Sequence, residues 1–271
     1  MMRPKQLGIP AISFALAAIF ISGCSQKPAN TFQGYVEGEY VYIASPLAGT
    51  LANLAIARGD SVTNGQLLFE LERGSETSAL DAAKKNLEQA KSALALSEST
   101  YTRRKELRDG NTSVISAEEL DQAKSKRDAD AAQVESLQAA LEKAKWSFDQ
   151  KQQFAPTNAY VQDTLYRQGE FVAAGNPVVV VLPTENIKVR FFVPETILPQ
   201  IKIGQTISVN FDGAAKNYSA TVNYISTQNE FTPPVLYNRE NRAKLIYMIE
   251  AGFSPADAAQ LRPGQPVDVK L

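Results

Sequence analysis

Histidine is missing from all 271 residues of the chain, and with it the commonest general base and the commonest metal ligand. Little else in the sequence could do bond chemistry. No Gly-x-Ser-x-Gly turn presents a serine nucleophile, no glycine-rich phosphate loop occurs, and no paired-carboxylate pattern is visible. An enzyme, a metal centre and a bound cofactor are therefore not expected. Basic and acidic residues nearly balance, 28 against 29 for a net charge of −1, so no basic field invites nucleic acid. One thiol remains, Cys24. A lone cysteine cannot form an intramolecular disulfide, so its chemistry is directed elsewhere.

The residues before Cys24 suggest where. Arg3 and Lys5 give a basic start, and Leu7 to Ile21 is a mostly apolar run. At about fifteen residues it is too short to span a bilayer comfortably and suits a signal peptide. It ends Ile21-Ser22-Gly23-Cys24, which is similar to a bacterial lipobox, whose cysteine is lipidated and becomes the mature N-terminus. Lipid chains tether a protein to a membrane without a spanning helix. Residues 1–23 thus read as a signal peptide and 24–37 as a lipidated polar tether. Ser25, next to the lipid site, suits outer-membrane sorting by the simplest rule.

Beyond the tether the chain writes one phrase twice. "GDSVTNGQLLFEL" begins at Gly59 and "GEFVAAGNPVVVV" at Gly169. The offset of 110 residues (169 − 59) also pairs Pro46 with Pro156, Leu51 with Val161, Asp60 with Glu170, Val62 with Val172 and Gly65 with Gly175. Each copy reads as two short half-buried strands joined by a glycine-bounded turn. Two isolated copies do not make a repeat array, which needs at least three in series.

The segment between the copies explains their separation. From about Ser75 to Gln152 it has no proline and a single glycine, Gly110. Apolar residues recur every seven positions in both arms: Leu80, Leu87, Leu94 and Tyr101, then Leu120, Val134, Leu141 and Phe148. Arg127 and Asp130 are gaps in that seam. Such a spacing keeps one stripe facing a partner helix. The two arms, about 33 residues each, predict an antiparallel hairpin roughly 50 Å long, which returns the chain to where it left. The two phrases then become neighbours and bury their apolar faces against each other, as two faces of one small sandwich.

This arrangement resembles the periplasmic adaptor family, also called membrane fusion or hemolysin D-like proteins, in which two half-motifs of a biotinyl-lipoyl-like domain flank a helical hairpin. Here the half-motifs are "IASPLAGTLANLAIARGDSVTNGQLLFEL" and "FAPTNAYVQDTLYRQGEFVAAGNPVVVVL", the second carrying Asn158-Ala159 where the first has Ala48-Gly49. The implied fold is α+β: a split lipoyl-like β-sandwich (38–73 and 153–185) interrupted by the hairpin (74–152) and followed by a small β-barrel (186–271). The strand-like "IKVRFFV", "KIGQTISVNF", "YSATVNYIS", "KLIYMIEA" and "RPGQPVDVKL" fit that barrel, and "VPETILPQIKIGQ" fits a short helix started by Pro194. "NEFTPPVLYNRENRAKLIYMIEA", Asn229 to Ala251, is similar to segments of adaptors that serve ABC-type exporters.

The resemblance also implies partners. Family members that dock onto a TolC-like outer-membrane channel carry Arg, then Leu four on, then Ser seven further on. Arg103 and Leu107 keep the first interval, whereas Ser116 stands nine beyond Leu107. From the residues alone, Ser116 reads as the N-cap of the second helix, with Glu119 completing a capping box. The implied protein is lipid-anchored in the periplasm of a Gram-negative bacterium, usually at the inner membrane. It would self-associate into a ring and bridge an inner-membrane transporter, of ABC type, to the channel. Two other classes compete. A coiled-coil envelope lipoprotein that only spaces membranes accounts for tether and hairpin but not for the β-rich parts. A lipoyl or biotin carrier needs a lysine on a tight turn between the halves. The hairpin occupies that place, and the basic residue noticed beside it is Arg73, which cannot form the amide.

Substitution Cys24→Ser is expected to abolish labelling by radioactive palmitate and to leave an unprocessed or soluble precursor. Wild-type labelling and membrane fractionation of the variant would refute the lipobox reading.

Overall fold

The computed structural model describes Met2 and residues 31–111, 114–214, 216–231 and 245–271. In chain order its strands are β1 (Thr31–Gly38), β2 (Val41–Ala44), β3 (Gly49–Leu54), β4 (Ser61–Val62) and β5 (Leu67–Leu71). Helices α1 (Gly74–Gly110) and α2 (Ala117–Asp149) follow. Then come β6 (Gln152–Phe154), β7 (Ala159–Thr164), β8 (Phe171–Val172), β9 (Pro177–Pro183), β10 (Ile187–Pro194), β11 (Thr206–Asn210), β12 (Tyr218–Phe231) and β13 (Leu245–Phe253). A four-residue helix α3 (Pro255–Ala258) and β14 (Pro266–Lys270) end the order. Two compact units result, one from Thr31–Val36, Val189–Phe253 and Gly264–Leu271, the other from Glu37–Lys188 and Ser254–Pro263.

In the second unit the two phrases do not stack as separate layers, as the sequence reading expected. They exchange strands. One sheet runs β2-β9-β7-β4 and the other β6-β5-β3-β8, so each contains strands from both halves. The exchange is nearly symmetric. Gly59 N–H donates to the Val161 carbonyl (2.9 Å), and its counterpart Gly169 donates to Leu51 (2.8 Å). Leu51 N–H donates to Glu170, and Val161 to Asp60, both at 2.8 Å. Gly65 donates to Ala155 and Gly175 to Ser45, both at 2.9 Å. A contact from i to j recurs from j's partner to i's partner, as in a self-complementary twofold interface.

The repeated Gly-acid pair follows from this geometry. Gly59 and Gly169 sit at φ +93° and +92°, and Gly65 and Gly175 both at +78°, backbone states that side chains strongly disfavour. The acid closes the same turn: Asp60 Oδ2 accepts from Ala57 N–H (2.8 Å), and Glu170 Oε2 from Arg167 N–H (2.9 Å). Between the sheets lies a core of Leu51, Ile56, Val62, Leu68, Phe69, Leu71, Val161, Val172 and the β9 valines Val178, Val179 and Val181.

The hairpin's seam follows alternating three- and four-residue steps, as a heptad requires. Leu80 and Leu87 are buried, and Leu94, Leu120, Val134 and Leu141 are half-buried against the facing helix. The expected gaps are filled by a polar layer. The Arg127 guanidinium lies 4.7 Å from the Tyr101 ring centroid, and Asp130 pairs with Lys126 one turn away. At the start of α2 the capping box is present: Ser116 Oγ accepts from Glu119 N–H (3.2 Å), and Glu119 Oε2 accepts from Ser116 N–H (2.9 Å). Bonds from the Ser116 backbone and hydroxyl hold the Glu119 carboxyl below its usual range, and the Lys126 ammonium and Ser97 hydroxyl do the same for Asp130.

The first unit is a closed six-stranded barrel, β1-β10-β13-β12-β11-β14. Alternate residues Val189, Phe191 and Val193 of β10 are fully buried. β1 approaches β10 so closely that a Cβ on Gly34 would lie 2.5 Å from the Arg190 carbonyl oxygen. Three expectations need correcting. Residues 31–37, read as tether, lie in β1, which pairs with β14 from Thr31↔Lys270 to Tyr35↔Pro266. The stretch "TFQGYVEG" shows little alternation by itself and becomes a strand through distant partners, β10 and β14. Ser254–Pro263, read as barrel, belongs with the sandwich, because Tyr160 Oη donates to the Ala259 carbonyl (2.8 Å) and Arg262 lies over the same ring. The helix expected after Pro194 is a single 3-10 turn, Leu198–Gln200, because Pro194 continues β10.

Two predictions test this packing. Leu51→Ala empties a fully buried site and is expected to destabilise the protein by about 2–5 kcal/mol. The same truncation at Leu96, which is 71% exposed, is expected to cost only about 0.5 kcal/mol. Denaturant melts of both variants check the contrast. The second concerns acid. A carboxyl whose folded pKa is depressed contributes stability above its unfolded value, about 4, and loses it as pH falls through the folded value. Glu119 and Asp130 both behave so. The thermal midpoint, followed by helical circular dichroism, should hold from neutrality to about pH 4 and decline below it. In Glu119→Gln that decline should be shallower.

Candidate functional site

The distal end of the hairpin leaves Leu107 and Val114 exposed to solvent. α1 ends where Asn111 N–H donates to the Leu107 carbonyl (3.0 Å) in an extended C-cap. The basic side chain in its last turn, Arg108, suits the negative end of the helix dipole. Seam positions near the tip are held by Arg104 and Arg108, and Arg104 Nη1 donates to the Glu119 carbonyl (3.1 Å), tying α1 to α2. Leu107 is therefore displaced from the seam and is 47% exposed.

Arg103 and Leu107, four apart, lie along one face of the last turns of α1. Arg103 reaches only as far as Ser99 Oγ at 3.4 Å, which leaves most of its guanidinium to solvent. Ser116 is held differently. Its hydroxyl donates to Glu119 Oε2 (2.9 Å) while accepting from Glu119 N–H, so its side chain is engaged within the cap. The structure thus brings Arg103 and Leu107 together and keeps Ser116 on the other helix. Val114, 53% exposed, adds an apolar group that the sequence reading passed over. Its signal was the pair Val114-Ile115 in a stretch otherwise made of polar residues and glycine. Beside the polar layer is a groove of about 320 Å³ lined by Ala93, Thr100, Arg104, Gln122, Ala123 and Lys126, among others.

The proximal end, or foot, holds a residue that sequence reasoning missed. Lys151, directly after α2, is buried. Its Nζ donates to the Ala48 carbonyl (2.8 Å) and pairs with Glu76 Oε1 (3.1 Å). Burial alone would raise the Glu76 pKa, but bonds from Ser75 and Lys151 outweigh it and hold the carboxyl below its usual range. Lys151, not Arg73, is the lysine at the join between the halves, and its ammonium is enclosed by these partners. Arg73 stays with Glu70 (2.6 Å) and lies 4.5 Å from the Phe148 ring centroid.

Among the described residues no group of three or more acidic or cysteine side chains could hold a metal ion, and no helix is long and apolar enough to cross a membrane. Cys24 lies outside the described residues, as does most of the Asn229–Ala251 segment, residues 232–244.

Comparison with known proteins places this architecture. Residues 79–151 match the family model described as the α-helical hairpin domain of RND membrane fusion proteins. A UPF0194 membrane protein of Yersinia pseudotuberculosis serotype O:3 is 28% identical over 330 aligned positions, covering 100% of this chain and 99% of the relative. Another from Citrobacter koseri is 29% identical and covers 93% of each. Among solved structures, the membrane fusion protein of Streptococcus pneumoniae R6 superposes with a TM-score of 0.64 at 18% identity, covering 89% of this chain and 97% of that one. MacA from Actinobacillus actinomycetemcomitans does so with 0.58 at 16%, covering 89% and 77%. Residues 79–151 thus match the hairpin of the membrane fusion proteins, and the strand-exchanged sandwich and six-stranded barrel around it share the fold of the solved proteins of that kind.

Proposed function

We propose that the protein is a lipid-anchored periplasmic adaptor of a Gram-negative bacterium that bridges an inner-membrane transporter of the ABC type to a TolC-like outer-membrane channel. It carries out no bond chemistry; its work is assembly. Cys24 holds the lipid, copies associate side by side into a ring, and the hairpin tips meet the channel.

The uncovered tip carries this reading. A helix of 37 residues extends about 55 Å; Arg103 and Leu107 lie in its last turns and Val114 in the turn beyond, all three exposed. Such a cationic and apolar pair of anchors suits a partner helix offering carbonyls or carboxylates beside an apolar pocket, since interface hot spots favour Arg and buried apolar anchors. The ABC assignment rests on the Phe231-Thr232-Pro233-Pro234-Val235 stretch, whereas the matching hairpin family is named for RND systems. Co-purification of the tagged protein with its transporter distinguishes them: an ATP-binding subunit supports the first, its replacement by an RND pump the second.

Arg103→Asp reverses a charge on an exposed face, where substitutions typically change stability by about 0.5 kcal/mol. The variant is expected to be exported at normal abundance and yet to lose crosslinking to the channel and substrate efflux. Lys84→Asp, near the foot and exposed, is the control and should retain both. Equal loss from the two variants would assign the contact to general hairpin charge and sink the tip reading.

A further inference from the structure

An arm that projects from a small sandwich transmits position only if its foot does not bend. Lys151 ties together three segments at that foot. It follows α2 directly; its ammonium bonds to Ala48, in the turn between β2 and β3, and to Glu76, in the first turn of α1. Its side chain is 7% exposed. We propose that Lys151 is a positioning residue that fixes the direction of the hairpin relative to the sandwich, making the foot a rigid corner and not a hinge.

The surroundings are shaped for that ammonium. A Cβ on Gly49 would stand 3.0 Å from Lys151 Nζ, so the bare glycine clears its place. Ser45, fully buried, donates its hydroxyl to the Gln150 carbonyl (2.9 Å) while accepting from Leu47 N–H (3.1 Å). The turn before β3 thus grips the end of α2 at two consecutive residues. Across the foot, Arg73 at the start of α1 stacks on Phe148 at the end of α2. Each helix foot is therefore held by a cation from the other helix's side, and one of those cations also holds the sandwich. Hinges form where groups part at little cost. Here any swing that parts Lys151 from Ala48 or Glu76 leaves a buried charge without its partners, which is strongly unfavourable. A lysine is seldom buried unless so paired.

The inference does not rest on the adaptor reading, and its test needs neither pump nor channel. The full chain carrying Cys24→Ser has no other cysteine, so spin labels can be placed at Arg58→Cys on the sandwich and Ser92→Cys on α1, both exposed. Pulsed electron resonance should give a single narrow distance distribution. Lys151→Met should broaden it to about twice its width, the signature of a corner turned into a hinge. Gly49→Ala, which crowds the ammonium and leaves the pair's charges intact, should shift or broaden it less, and it serves as the deciding variant if Lys151→Met does not fold. A residue that merely adds stability would lower the thermal midpoint and leave the distribution unchanged. An unchanged distribution in the folded Lys151→Met variant, or in Gly49→Ala where that variant fails to fold, overturns the proposal.

Discussion

The pairing of β5 with β6 is the contact through which the hairpin closes. Leu67 faces Phe154, Phe69 faces Gln153 and Glu70 faces Gln152, so the last strand before the helices lies against the first strand after them. Joining two points separated by some eighty residues would cost loop-closure entropy in a flexible chain. Two helices of matched length remove most of that freedom by making contacts local to the hairpin before the β pairing forms. The strand exchange completes the closure. Because Gly59 binds Val161 while Gly169 binds Leu51, neither half can form its turn contacts without the other. Sandwich and hairpin foot thereby depend on one register.

That dependence accounts for how sparingly the hairpin is built. Large apolar residues lie mostly at the seam, with Leu96 and Trp146 exposed outside it, and several seam positions are small or polar. Alanines at 83, 90, 123 and 144 let the helices approach but bury little area. The Tyr101–Arg127 and Lys126–Asp130 layer resembles the polar positions that fix register in coiled coils at a cost in stability. A seam of this kind selects one alignment more than it adds strength. The strength lies at the foot, where Leu71, Phe69 and the β9 valines are fully or nearly fully buried.

The fold class was legible because two periodicities stand out in the sequence: seven in the helical arms, and a fixed 110-residue offset between phrases. Both survive without knowledge of distant contacts. What escaped depends on such contacts. β1 contains glycine and alternates weakly, and its neighbours β10 and β14 lie more than 140 residues further along the chain. The exchange of strands between halves leaves each strand's own pattern unchanged, so pattern alone cannot distinguish it from stacking. Lys151 looks like the last polar residue of a helix; its burial comes from Ala48, Gly49 and Glu76, which the sequence gives no reason to join to it. Val114 was passed over for the opposite reason, since two apolar residues side by side in a turn, Val114 and Ile115, carry no periodic signal.

The capping box bears on how the tip could bind. Glu119 receives both the backbone N–H and the hydroxyl of Ser116, and the same hydroxyl accepts from Glu119 N–H. A partner that drew on the Ser116 hydroxyl would have to break a bond that orders the start of α2, trading one interaction for another with little net gain. Arg103, Leu107 and Val114 carry no such obligation, because no strong internal contact is lost when they turn outward. The longer interval between Leu107 and Ser116 therefore matters less for docking than the residue identities suggest. On the reading proposed here, recognition falls on a cation and two apolar groups, and the serine contributes by holding fixed the helix start beside them.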